Sequence, residues 1–138
     1  MRARTRAREC TLKILYQIEI TKSTPEVALD DYFQWNEEPQ DVKDFTQTLV
    51  TGISSQISAL DETIRKFAEH WEIDRMAVID KNILRLGCYE LLFLKDIPPK
   101  VSINEAIELG KKFGDIETAK FVNGILDRVF KEHRGTSS

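Results

Sequence analysis

The chain has 138 residues, 41% hydrophobic and 31% charged, which is typical of one soluble globular domain that needs no disulfide or metal to fold. No apolar run approaches the ~20 residues of a membrane-spanning helix, and no apolar stretch follows the basic N-terminus as it would in a secretory signal. The formal net charge of −3 argues against a general polyanion binder.

The first third of the chain predicts helices. From Ala7 the apolar residues Cys10, Ile14 and Ile18 recur at three and four, which predicts a helix over residues 5–21. Thr24 is then expected to cap a short second helix with Pro25 at its first position, followed by a polar loop over 36–40.

The middle of the chain carries the longest apolar periodicity. Apolar residues follow at three and four from Val42 to Trp71, which predicts helix with one buried face and with Asp41 as its cap. Serines near residue 55 predict a break into two helices, the second starting at Ser58 or Asp61.

The next segment predicts a central helix. Asp74 is expected to cap a helix over 75–94 that is apolar on more than one side, as in the middle of a bundle. The pair Pro98-Pro99 then ends it.

Two further helices are predicted. Ser102 and Glu105 form a capping box for a sixth helix that Gly114 ends, and a seventh covers 117–131. We expect a frayed tail over 134–138 and a flexible arginine-rich arm over 1–4. No segment alternates with period two, so the prediction is one compact all-α domain of about seven helices.

Two glycines fall inside predicted helices. Gly87 and Gly124 each cost about 1 kcal/mol relative to alanine in a helix interior. We interpret both as sites of close helix packing.

The residues do not form a catalytic or metal-binding pattern. His70 and His133 are the two histidines, and no Cys/His spacing suits zinc. Gly110-Lys111-Lys112 lacks the upstream glycine and the hydroxyl of a phosphate-binding loop. Acidic pairs such as Glu37-Glu38 are predicted to be solvated surface. We therefore expect no enzyme, no cofactor and no metal, and we expect the thiols of Cys10 and Cys88 to be buried and reduced in the cytoplasm.

An arginine-rich N-terminus is the first positive signal. Arg2, Arg4, Arg6 and Arg8 are accompanied by no acid, so the remaining 130 residues carry −7. Because the guanidinium fork suits phosphate oxygens and stacks on bases, this pattern favours an anion or RNA site. The alternative is a charged terminus that serves solubility.

A second signal opens the last helix. Lys120, Phe121 and Asn123 combine a cation, an aromatic ring and an amide near a helix N-terminus, which favours anions and single-stranded bases. The alternative is that Phe121 belongs to the core and that Asn123 makes a helix–helix hydrogen bond.

Several motifs together resemble one known family. They are Ala-Arg-Glu at 7–9, Leu-Tyr-Gln at 15–17, Ile-Leu-Arg-Leu at 83–86, Tyr-Glu-Leu-Leu at 89–92, Asp-Ile-Pro at 96–98, Ile-Asn-Glu-Ala-Ile-Glu-Leu at 103–109, Lys-Lys-Phe-Gly at 111–114 and Lys-Phe-Val-Asn-Gly-Ile-Leu-Asp at 120–127. With these motifs the chain, from residue 4 to about 131, resembles the NusB family of transcription antitermination factors. The resemblance implies an all-α fold of two packed helical bundles.

The resemblance also implies partners and sites. Members of the family bind boxA-type single-stranded RNA of nascent transcripts, notably ribosomal RNA leaders, together with the ribosomal protein NusE. They act on RNA polymerase and other Nus factors indirectly, with no membrane involved. The implied RNA contacts are Arg4, Arg6, Arg8, Lys120, Phe121 and Asn123, and the implied NusE face holds Tyr16, Asp80 and Arg85.

Some features of the sequence leave alternatives open. Thr5 stands where the family often has another arginine, which predicts a weaker contact from the arm alone. A NusB-like accessory domain of an RNA-modifying enzyme would need a catalytic domain after residue 138, and residues 131–138 read as an ending. A protein scaffold without RNA contact, and a homodimer, are further alternatives.

Overall fold

The computed structural model describes residues 2–68 and 72–137, with side chains described up to residue 133. Within these residues the chain forms seven α-helices and a short 3₁₀ helix, Ile73–Arg75, and no strand. The helices are α1 (Ala3–Thr21), α2 (Pro25–Trp35), α3 (Gln40–Ser55), α4 (Ile57–Phe67), α5 (Val78–Phe93), α6 (Pro99–Phe113) and α7 (Ile116–Ser137). The all-α prediction is confirmed, and none of the described helices has the length and apolar character needed to cross a membrane.

The chain divides into two helical units, residues 1–56 and 57–138. In the first unit α1 packs against α2 and α3, with one apolar cluster of Ala7, Cys10 and Val42 and another of Ile14, Ala28 and Val50. The predicted cap of α2 is confirmed, because the Thr24 hydroxyl accepts a hydrogen bond of 3.2 Å from the Val27 N–H. Helix α1 begins two residues earlier than predicted, so Arg4 is helical.

The boundaries of α3 and α4 correct two predictions. Asp41 does not cap α3, because the helix begins at Gln40 after the extended Pro39, and Asp41 accepts a hydrogen bond from the neighbouring Val42 N–H instead. The predicted break exists, but it lies at Gln56, so that α4 begins at Ile57 rather than at Ser58 or Asp61. Trp71 and His70 lie outside the described residues.

Helix α5 is central to the second unit, where it packs against α4, α6 and α7. The predicted start at Asp74 is wrong. Asp74 lies in the 3₁₀ helix, and α5 begins only at Val78, after the extended residue Ala77. The apolar girdle predicted for this helix is confirmed by the buried side chains of Ile83, Leu84 and Leu86.

The predicted capping box of α6 is also wrong. The helix begins at Pro99, and Ser102 lies inside it, where its buried hydroxyl donates a hydrogen bond of 2.8 Å to the Glu90 carboxylate of α5. Gly114 ends α6 as predicted, although its φ of −115° is not left-handed. The sequence did not reveal the cap of the next helix: Asp115, the residue before α7, accepts a hydrogen bond of 2.9 Å from the Thr118 N–H.

The two mid-helix glycines have different explanations. A Cβ on Gly87 would lie 2.5 Å from Leu126 Cδ1 of α7, which confirms close helix packing at that position. A Cβ on Gly124 would meet nothing within 4 Å, so the packing interpretation of Gly124 is wrong.

Candidate nucleic-acid interface

The N-terminal arginines lie on the first turns of α1, and the structure places them in different surroundings. Arg2 is the exposed residue that precedes the helix, and Arg4 is exposed in its first turn. The Arg4 guanidinium lies 4.5 Å from the centroid of the Phe45 ring of α3. Such a cation–π contact contributes about 0.5–1 kcal/mol at an exposed site and holds the cation over the ring.

Arg6 is held by an acid from the loop between α2 and α3. Its Nε–H and Nη2–H both donate to Glu38 Oε2, at 2.9 and 2.6 Å, and its Nη1–H donates to Glu9 at 3.4 Å. The hydrogen bonds from Arg6 hold the pKa of Glu38 below its usual value, and the same bonds raise the pKa of Arg6. The Glu38 side chain is only 7% exposed, so the prediction that Glu37 and Glu38 form a solvated pair is wrong for Glu38.

Arg8 lies in the interior. The residue is 2% exposed, and its guanidinium carbon is 5.6 Å from the centroid of the Phe45 ring. Phe45 therefore has two guanidinium groups near its ring, those of Arg4 and Arg8. A burial this complete means that Arg4 and Arg2, rather than Arg8, present their charge on the described surface of α1.

The second group of predicted RNA residues lies in the second unit, at a surface cavity of about 820 Å³. Lys120 is exposed and Phe121 half-buried at its wall, and Asn123 is exposed further along α7. The exposure of Asn123 disfavours a hydrogen bond between packed helices, and the partial exposure of Phe121 leaves part of its ring accessible for stacking.

The same cavity contains a residue assigned to the partner face. Asp80, at the start of α5, lines it together with the exposed Arg75 and with Thr118. Burial raises the pKa of Asp80, while a hydrogen bond with Thr118 opposes that rise. Lys120 and Phe121, implied for RNA, and Asp80, implied for a protein partner, thus line the same cavity. The sequence alone indicated two separate sites.

The other two residues of the implied partner face differ in accessibility. Tyr16 on α1 is 44% exposed and is available for contact. Arg85 is largely inside the second unit, where its Nε and Nη2 donate to the two oxygens of Asp61 at 2.7 and 2.8 Å. Its Nη1 also donates to Asn82 at 3.1 Å, so this arginine has a structural role whatever else it contacts.

Sequence reasoning missed two residues that shape the arginine arm, Glu38 and Phe45. Phe45 did belong to the apolar series of α3, but nothing in a periodicity distinguishes a ring that packs in the core from one that carries a cation. Glu38 carried no signal at all, since a loop acid contacts an arginine 32 residues away only through the tertiary fold. Among the described residues there is no group of three or more His, Cys, Asp or Glu side chains that could hold a metal ion.

Comparison with known proteins gives a consistent picture. Residues 5–131 match the NusB family. The chain is 41% identical to the transcription antitermination protein NusB of Thermodesulfovibrio yellowstonii, over 94% of this chain and 92% of that protein. It is 47% identical to the NusB protein of Myxococcus xanthus, over 94% of this chain and 95% of the relative.

Solved structures agree with this match. NusB from T. maritima superposes with a TM-score of 0.86 at 40% identity, covering 94% of this chain and 91% of that one. A second structure, of the antitermination factors NusB and NusE in complex with double-stranded RNA, has a TM-score of 0.86 at 32% identity and covers 96% of this chain and 98% of the solved one.

Proposed function

Because the chain belongs to the NusB family, we propose that it is a transcription antitermination factor that binds boxA-type single-stranded RNA of nascent transcripts together with ribosomal protein NusE. In this function it helps to assemble an antitermination complex on RNA polymerase, notably on ribosomal RNA leaders. It acts in the cytoplasm by binding and not by catalysis. The observation that carries the proposal is the match to antitermination proteins over nearly the whole chain, with a basic first helix on an otherwise acidic protein.

The RNA contact begins at the N-terminus of α1. Arg2 and Arg4 are exposed there, and Arg6 keeps a third of its side-chain exposure, so phosphate oxygens can reach these guanidinium groups. The second unit offers RNA contacts of its own, with Lys120 for a phosphate, Phe121 for stacking on a base and Asn123 for a base edge. Arg8 supports the arm from inside through Phe45.

Each unit offers a side chain for NusE. In the first unit the exposed Tyr16 of α1 offers an aromatic surface, and in the second unit the partly buried Asp80 offers a carboxylate at the cavity wall. Arg85 contributes by holding Asp61 and α5 in place. A relative has been solved with both NusE and RNA, which supports a joint complex.

The deciding experiment is RNA binding with and without NusE. A labelled boxA RNA, a scrambled single strand and a boxA duplex are titrated with the parent chain and with the double variant Arg2→Ala/Arg4→Ala. The matched control is Lys95→Ala/Lys100→Ala, which removes the same charge from exposed positions in the second unit.

The expected result is a preference of the parent for single-stranded boxA that NusE strengthens. The arm variant is expected to lose affinity and to reduce the slope of log K against log salt by about 0.7 for each phosphate contact removed, while the control keeps both. Equal affinity for boxA and scrambled RNA in the presence of NusE contradicts the proposal. Preference for the duplex would reassign the RNA class to double strands, as in the solved complex of the relative.

A further inference from the structure

We propose that Glu38 is a positioning residue of the RNA site: its carboxylate fixes the Arg6 guanidinium and leaves two of the five guanidinium N–H groups ready for a phosphate. This inference rests on the proposed RNA-binding function and adds to it a residue outside the arginine arm. Glu38 belongs to the loop between α2 and α3, and it would act on RNA only through Arg6.

The hydrogen-bond geometry of Arg6 carries the argument. A guanidinium has five N–H donors. The Nε–H and one Nη2–H go to a single oxygen, Glu38 Oε2, and one Nη1–H goes to Glu9. One N–H on each of the two terminal nitrogens then has no acceptor among the described residues. These two N–H groups are therefore the ones that can donate to phosphate oxygens.

Burial explains why Glu38 is a permanent anchor and not a ligand that RNA displaces. The Glu38 side chain is 7% exposed, and the Sγ of buried Cys10 lies 3.9 Å from the same carboxylate oxygen. If a phosphate took Arg6 away, a carboxylate with little access to water would lose its main donors, which is costly. A phosphate that binds the two remaining N–H groups of Arg6 avoids this cost.

The same anchor orders the start of the helix. Arg6 is held by Glu38 while Arg4, half a turn earlier, lies over Phe45. Two cations of the arm therefore have defined positions before RNA arrives, and less conformational entropy is lost on binding than for a disordered arm.

The positioning role and simple electrostatics predict opposite changes in RNA affinity for the substitution Glu38→Gln. Glu38→Gln removes a negative charge next to the RNA site, so electrostatics alone would tighten RNA binding. Positioning requires weaker binding, because a neutral amide holds the guanidinium less strongly and can turn its own N–H group toward it. The matched control is Glu37→Gln, which removes the same charge from the neighbouring exposed acid.

The experiment measures boxA binding in the presence of NusE over a series of salt concentrations, for the parent, Glu38→Gln, Glu37→Gln and Glu38→Asp. For Glu38→Gln we expect roughly tenfold weaker binding and a salt slope smaller by about 0.7, the value of one lost phosphate contact. Glu38→Asp keeps the charge but shortens the reach, and we expect a loss of the same kind. Glu37→Gln should bind as the parent does or slightly more tightly.

The outcomes separate the two proposals. If the parent has no preference for boxA, the RNA-binding function fails and the role of Glu38 fails with it. If the parent binds boxA but Glu38→Gln binds as tightly or more tightly with an unchanged slope, only the positioning role is overturned. NusE affinity without RNA and the circular dichroism melting curve are measured for each variant. Should Glu38→Gln fail to fold, Glu38→Asp decides, and parent-like affinity and slope in that variant overturn the positioning role.

Discussion

Replacing Arg85 with alanine tests whether this residue supports the fold or contacts the partner directly. The parent side chain donates two hydrogen bonds to Asp61 and one to Asn82, and the side chains of Arg85 and Asp61 are only 12% and 16% exposed. Removing one partner of a buried ion pair costs about 3–5 kcal/mol. The remaining solvent access of this pair lowers our expectation to about 2–4 kcal/mol, a large part of the 5–15 kcal/mol by which domains are usually stable.

The assay is urea unfolding followed by circular dichroism for the parent, Arg85→Ala, Asp61→Ala and the double variant. Because the two side chains contact each other, their effects should not add, and we expect a coupling energy of about 2 kcal/mol. The control is Arg75→Ala, since Arg75 is exposed and should change the stability by less than about 0.5 kcal/mol.

A stability of Arg85→Ala within about 0.5 kcal/mol of the parent would refute this reasoning. The same series examines the partner face. If Arg85 is purely structural, folded Arg85→Ala keeps the NusE affinity of the parent once the unfolded fraction is taken into account. A loss of NusE affinity at full folding would assign Arg85 a direct contact in addition.

Three further predictions concern single side chains. Gly124→Ala should stabilise the free protein by about 0.5–1 kcal/mol, because the added methyl meets nothing and the helix gains propensity; a lower melting temperature would contradict this. Since the folded pKa of Glu38 is depressed, the stability it contributes is full above its unfolded pKa near 4.5 and is lost as pH falls through the lower folded value. The stability gap between the parent and Glu38→Gln should therefore shrink from pH 6 to pH 3 in urea titrations, and a gap that grows would contradict the sign. Burial raises the pKa of Cys88 to about 12, so this thiol should react with thiol reagents only after unfolding; rapid labelling of the native chain would show otherwise.

The placement of the arm changes what an arginine-rich terminus means for this protein. Four arginines at alternate positions suggest a uniform polycation, yet each has a different environment: Arg2 and Arg4 are exposed, Arg6 is anchored and Arg8 is interior. Substituting all of them together would therefore mix a binding effect with a folding effect. Substituting only the exposed Arg2 and Arg4 separates the effect on binding from the effect on folding.

The sequence by itself determined the fold class and the number and order of the helices. Apolar spacing at three and four needs only the geometry of one helix, and the Thr24-Pro25 cap needs only neighbouring residues, so both were predicted correctly. The resemblance to the family could also be recognised from the sequence, because its motifs are short stretches of consecutive residues. Helix starts were predicted less well where the expected capping residue makes a tertiary hydrogen bond instead. Ser102, for example, donates to Glu90 of α5 and does not cap α6.

Only the tertiary structure decided which charged residues face water and which are held inside. Glu38 and Arg6 are 32 residues apart, and Asp61 and Arg85 are 24 apart, so no local pattern pairs them. The energy of such a pair depends on distance and burial, which are properties of packed helices and not of one helix. For the same reason the sequence could place arginines at the N-terminus of this protein, but only the packing of α1 against α3 and the loop between α2 and α3 determined which of them are exposed at the surface.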